Sequence, residues 1–146
     1  ILITMDVDFT HHPSYINSMI EAMCDNHVVI GSRHEKRDSI KSWPLFRKLM
    51  TQSAYFFTKN LLKINFDATS GFRLYNLRKI NPNFFNNTKS KGYSFFIETA
   101  FKFNKTLNIK TLPIDMPIRF AEKSKMEIKD MITTVLLMIK LFFKKF

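Results

Sequence analysis

Cysteine, glycine, proline and acid are all scarce in this 146-residue chain, with one Cys, three Gly, five Pro and only 12 Asp plus Glu against 23 Lys plus Arg. The lone Cys24 excludes an internal disulfide and leaves no ligand spacing for a zinc finger. Three glycines leave no Arg/Gly-rich tract of the kind that binds RNA, and no aromatic RNP-type motif is present either. No stretch reaches the roughly eighteen to twenty apolar residues that a membrane-crossing helix needs, and no signal peptide is recognisable. The acid deficit gives a net charge of +11, which favours partners that are polyanions: nucleotide phosphates, anionic lipid headgroups or nucleic acid. Phenylalanine, by contrast, is abundant at 16 residues, and argues for packing or lipid contact over disorder. The chain opens inside an apolar run without a methionine, so a domain whose first part is missing is the expectation.

The opening thirteen residues, ILITMDVDFTHHP, carry the main chemical signal. Side chains alternate faces along a strand, so Asp6 and Asp8 at the end of an apolar run are expected on one side. Two carboxylates at one spot repel each other unless a cation lies between them. A hard divalent ion with oxygen ligands, Mg2+ or Mn2+, would do this and keep positions open for substrate phosphate. Taken alone, the pair equally fits strand-end aspartates that cap the following turn.

Pro13 suits a first helical turn, and Ile16, Met19, Ile20 and Met23 recur at helical spacing. VVIGS at 28–32 is a short β-branched run, which predicts a second buried strand. Strand, helix, strand implies a parallel α/β unit, in which Asp6, Asp8 and Arg33 meet beyond the strand ends. HEKRDSIK at 34–41 lacks apolar periodicity and predicts a mobile loop, after which Trp43 and Pro44 open a helical pattern to residue 63 with no Gly or Pro inside. Arg47 and Thr51 lie one turn apart on that helix, where a guanidinium and a hydroxyl can grip one phosphate. Its Tyr55, Phe56 and Phe57 widen the apolar face, either for the core or for a bilayer interface.

DATSGFR at 67–73 predicts a polar turn before a short strand, with Gly71 in a backbone conformation other residues avoid. Residues 81–91 are a loop by composition, and a helix from 94 to about 105 follows, with Glu98 among apolar neighbours. Residues 109–116 predict an edge strand bounded by Pro113 and Pro117. Arg119, Lys123 and Lys125 then form a cationic loop, and 127–146 a helix with apolar residues at 128, 131, 132, 135, 136, 139, 142, 143 and 146. That helix fits either the plane of an anionic membrane surface or the protein's own core.

In order, MDVDFTHHPSYI, VVIGSR, WPLFRKLMTQSA, DATSGFRLY, KGYSFFIE and PIDMPIRFAEKSKM resemble the polyprenyl-phosphate glycosyltransferases of glycosyltransferase family 2, the dolichol-phosphate mannosyltransferase-like group. The resemblance implies an α/β chain forming the C-terminal part of a GT-A fold: residues 1–126 catalytic, with 34–64 as acceptor loop and interface helices, and 127–146 an amphipathic interface helix. It implies an inverting, metal-dependent transfer of a hexose, mannose from GDP-mannose or a hexose from a UDP-sugar, to a polyprenyl phosphate of the dolichyl type. The setting implied is the cytoplasmic face of an anionic membrane, with no specific nucleic acid partner. Asp6 and Asp8 would hold Mg2+ or Mn2+, and Arg33 would sit by the donor and acceptor phosphates. Arg47, Thr51, Arg119 and Lys125 would bind the acceptor phosphate, while Asp67 and Glu98 shape the site. Thr10 stands where the family has a metal-assisting glutamine, and Glu122 where its cationic loop has glycine. Two other readings are a relative that uses undecaprenyl phosphate with glucose or an amino sugar, and a noncatalytic basic module for membrane or nucleic acid.

Overall fold

The computed structural model describes residues 1–118 and 128–144. It contains β1 (Leu2–Thr4), α1 (Tyr15–Glu21), β2 (Val28–Ser32), α2 (Leu45–Leu62), β3 (Arg73–Tyr75), α3 (Asn83–Asn86), α4 (Tyr93–Thr106), β4 (Ile109–Pro113) and α5 (Ile128–Phe143). The α/β class is the one the sequence predicts. The first two strands run parallel, as the strand-helix-strand order implies, but they are not neighbours in the sheet. The sheet order is β1-β3-β2-β4, with β3 antiparallel to both β1 and β2, and β4 parallel to β2. Leu2 and Val28 both face Tyr75 across β3, so β1 and β2 point the same way without touching. The carboxyl ends of β1, β2 and β4 and the amino end of β3 therefore share one edge of the sheet.

β2 is buried on both faces, as its continuous apolar run requires. Val29 joins Met19 and Met23 from the first helical segment, with Phe72, Leu74 and Ile114. Val28 and Ile30 face the opposite way, into a core with Tyr75, Ile97, Phe101, Phe103, Met138 and Leu141. β4 lies at the sheet edge, where Pro113, which has no N–H to donate, is tolerated.

Several expectations need correction. The 34–41 segment has no regular element but is tied down: Ser39 Oγ donates to the Ile114 carbonyl at 2.6 Å, and Met116 N–H to the Ser39 carbonyl at 3.1 Å. The 81–91 stretch holds α3, because burying Phe84 and Phe85 against Phe103 outweighs the loop-forming asparagines around them. Gly71 is not at positive φ; among the described residues those that are comprise Phe9, Lys63 and Gly92. Tyr55 turns inward and stacks on His34 at 4.1 Å, while Phe56 and Phe57 stay exposed. On α5 the buried residues are Thr134, Met138 and Leu141. Much of the predicted apolar stripe, Ile128, Ile132, Val135, Leu136, Ile139 and Phe143, remains exposed on other sides of the helix. The helix thus docks on the core and still presents an apolar surface to solvent.

Candidate active site

Near the shared sheet edge lie Asp6, Asp8, Arg33 and Asp67, four of the charged residues that the sequence singles out. β1 ends at Thr4, so strand alternation does not align Asp6 with Asp8. A bend through 7–10 does the positioning instead, with Phe9 in the left-handed region at φ 62°. Asp8 Oδ1 accepts the Thr10 N–H at 3.1 Å and the Thr10 hydroxyl at 2.6 Å, and Thr10 itself is buried. Thr10 therefore buttresses Asp8. The Asp6 side chain is half exposed, whereas His11, behind it, is buried.

His11 organises the loop. Its Nδ1 accepts the Asp6 N–H at 2.9 Å, which places the proton of the neutral ring on Nε2, and the ring stacks on Phe72 at 5.0 Å. Burial holds its pKa below the ordinary histidine value, opposed by the nearby Asp6 carboxylate and reinforced by Arg33. Asp8 and Asp67 also act electrostatically on this ring. Asp6, Asp8, Arg33 and Asp67 are thus brought to one place by three different loops.

Arg33, just past β2, is held by Asp67, which is fully buried: Nε to Oδ2 is 2.8 Å. Burial opposes the charge of Asp67, but Arg33, His34 and the Thr69 hydroxyl hold its pKa below the ordinary carboxylate value. Fixing Arg33 through Nε leaves the guanidinium's outer donors to a ligand. Trp43 joins this cluster to α2, with the Arg33 guanidinium 6.0 Å and that of Arg47 3.7 Å from its ring centroid. The indole N–H is anchored to the Met116 carbonyl at 2.8 Å. Thr51 sits half-buried one turn beyond Arg47 on α2. Arg119 and Lys125 lie outside the described residues.

Arg73 is a buried strut that the sequence reading passed over. Its Nε donates to the Ser70 carbonyl, Nη1 to Thr99 Oγ1, and Nη2 to the Ala68 and Phe96 carbonyls, all at 2.8–3.0 Å. One guanidinium thereby fixes the 67–71 turn against α4. A charged residue between Phe72 and Leu74 in an apolar strand is the signal that marks it.

Glu98 stands apart from the cluster and acts on the cleft wall. It accepts the Ser90 N–H at 2.8 Å and the Lys89 N–H at 3.2 Å, and pairs with Lys102 at 3.2 Å. Burial pushes its pKa up, but the bonds from Ser90, Lys102 and Lys89 outweigh it and bring the value to about 2. Because the folded value is depressed, the resulting stability is complete above the unfolded value near 4.5 and is lost as pH falls through about 2. Glu98→Gln is expected to cost about 1–3 kcal/mol at pH 7. In urea unfolding, the gap to wild type should close on acidification; an equal gap at pH 7 and pH 2 would exclude charge as its origin.

The segment held by Glu98 forms one side of a cleft of ≈ 550 Å3, lined by Asp6, Lys91, Gly92, Tyr93, Phe95 and Phe96. At Gly71 a Cβ would lie 3.5 Å from Asp6 Oδ1 and 3.4 Å from Phe96, so the glycine leaves that oxygen uncovered. Two carboxylates, one of them open to the cleft, fit a hard divalent cation that takes its other oxygens from substrate and water. Among the described residues no group of three His, Cys, Asp or Glu side chains forms a fuller protein cage.

The sequence model for Glycosyl transferase family 2 matches residues 1–85. The chain is 28% identical over 130 residues to an undecaprenyl-phosphate mannosyltransferase of Micrococcus luteus, covering 88% of this chain and 52% of that protein. It is 26% identical over 125 residues to a polyprenol monophosphomannose synthase of Mycolicibacterium smegmatis, covering 84% of this chain and 46% of the relative. The chain thus spans about half the length of these curated relatives.

Proposed function

Starting from the fact that this chain belongs to glycosyl transferase family 2, we propose that the whole protein transfers a hexose from a nucleotide diphosphate sugar to the phosphate of a polyprenol lipid. The observation that carries this reading is the convergence of Asp6, Asp8 and the Asp67-held Arg33 on one sheet edge beside an open cleft. The names of the two relatives favour mannose, and we take GDP-mannose as the donor.

A lipid phosphate is an anion near neutral pH and needs no strong base to attack the anomeric carbon. Burial holds the pKa of His11 and His34 below the ordinary histidine value, which makes both weak bases, and the reading calls on neither. Asp6 and Asp8 would hold Mg2+ or Mn2+, which when bound neutralises charge on the departing nucleotide diphosphate. Thr10 keeps the Asp8 carboxylate in place. Arg33 and Arg47 offer cationic donors from two elements joined at Trp43, an arrangement that aligns the reacting phosphates.

Docking to the cytoplasmic face of an anionic membrane is part of the proposal. No described helix is long and apolar enough to cross a bilayer. α2 and α5 touch each other; α2 exposes Leu45, Phe46, Leu49, Phe56 and Phe57, and α5 exposes Ile128, Ile132, Val135, Leu136, Ile139 and Phe143. Such a surface suits helices that lie in the interface plane.

The test is transfer of labelled sugar to polyprenyl phosphate from GDP-mannose and from UDP-glucose, each with Mg2+, Mn2+ or chelator. Metal-dependent product from GDP-mannose is expected. Product from UDP-glucose alone would refute the sugar assignment, and unchanged turnover in chelator would remove the metal; no product from either donor would overturn the reading.

A further inference from the structure

A second groove, of ≈ 490 Å3, lies between α5 and the segment leading into α4. Lys89, Lys91 and Lys140 line it together with Leu136 and Leu137. Among the described residues none of these three lysines forms an ion pair with a carboxylate. Thr133 and Ser94 add hydroxyls to the lining, and Ser94 is itself 3.2 Å from the buried Thr134 hydroxyl on α5. That contact fixes the two walls of the groove relative to each other.

Three lysines along one groove suit a ligand that carries anionic oxygens. The leucines call for hydrocarbon on the same ligand. Leu136 belongs both to the groove and to the exposed apolar surface of α5, so the two chemistries adjoin where the helix would meet a membrane. Inorganic phosphate or nucleic acid would use the lysines and leave the leucines idle.

We propose that this groove binds the phosphate headgroup of an anionic glycerophospholipid of the bilayer, with the start of an acyl chain against Leu136 and Leu137. The proposal rests on the membrane-docking part of the reading above and is independent of sugar transfer. Lys91 also lines the cleft beside Asp6, so a lipid held here sets that cleft next to the membrane surface.

The experiment measures binding of the full chain to phosphatidylcholine vesicles with and without phosphatidylglycerol. The variants are Lys91→Gln with Lys140→Gln, and a control with the same loss of charge, Lys63→Gln with Lys110→Gln. The groove pair should weaken binding to the anionic vesicles by about thirty-fold, and the control pair by less than about threefold. Leu136→Ser should also weaken it, and short-chain phosphatidylglycerol below its micelle concentration should compete where inorganic phosphate at the same concentration does not. Equal losses in the two pairs would assign the binding to diffuse charge and overturn the groove while leaving membrane docking intact. Competition by inorganic phosphate, binding to duplex DNA that the groove pair weakens as strongly while Leu136→Ser has no effect, or a preference for polyprenyl phosphate in neutral vesicles would each overturn the lipid assigned. A wild-type chain that ignores every vesicle would overturn both the groove and the membrane docking, with sugar transfer still to be judged on its own assay.

Discussion

Asp8→Asn in the whole protein is expected to lower sugar transfer by at least about 10^2- to 10^3-fold, with the urea midpoint and vesicle binding unchanged. The asparagine keeps a side-chain oxygen where Oδ1 now accepts the Thr10 N–H and hydroxyl at 3.1 and 2.6 Å, so the bend through 7–10 keeps its shape. What disappears is one of the two negative charges that would hold the proposed divalent ion. Raising Mn2+ should recover part of the rate if the loss is one of cation affinity. Turnover within a few-fold of wild type would show that Asp8 is a turn cap and nothing more, the reading that a D-x-D pattern permits by itself.

Arg73→Met is expected to have the largest effect on stability, about 3–5 kcal/mol, seen as a lowered urea midpoint and a melting temperature lower by on the order of 10 °C. Methionine comes close to filling the volume but leaves the Ser70, Ala68 and Phe96 carbonyls and the Thr99 hydroxyl without their donor. These acceptors are buried or nearly so, where an unmet hydrogen bond is not replaced by water. The damage reaches the site, because the turn that Arg73 fixes begins with Asp67 and so positions Arg33. A loss below about 1 kcal/mol would mean that the turn holds itself.

The parts of the fold legible in the sequence are those set by neighbours along the chain. The buried run 28–32, the uninterrupted helical pattern of α2 and the proline-flanked edge strand all follow from local periodicity and punctuation. The insertion of β3 between β1 and β2 is a pairing between distant segments, and nothing in any one segment encodes it. α5 shows a related limit. Its apolar residues number more than one face can hold, so periodicity does not say which face meets the core; packing against α4 selects Thr134, Met138 and Leu141.

In the candidate site, Asp6, Asp8, Arg33 and Asp67 stand out in the sequence because charge and polar turn residues interrupt apolar runs there, although only Arg33 directly follows a strand in the fold. The roles of His11, His34 and Trp43 do not, since a histidine's tautomer or an indole's stacking depends on partners from other loops. Gly71 shows how a correct residue can carry the wrong reason. The sequence suggests an unusual backbone there, whereas the residue is not at positive φ and brings the turn close to Asp6 and Phe96.

Trp43 is the single tryptophan of these 146 residues, buried, with two guanidiniums near its ring. Tryptophan emission from this chain therefore has one source and one environment. An anion that draws Arg47 or Arg33 away from the indole changes the field on the excited state, and the emission shifts without any label. Occupancy of the proposed phosphate-binding edge would thus be followed by light in a cuvette, under conditions where no sugar is transferred at all.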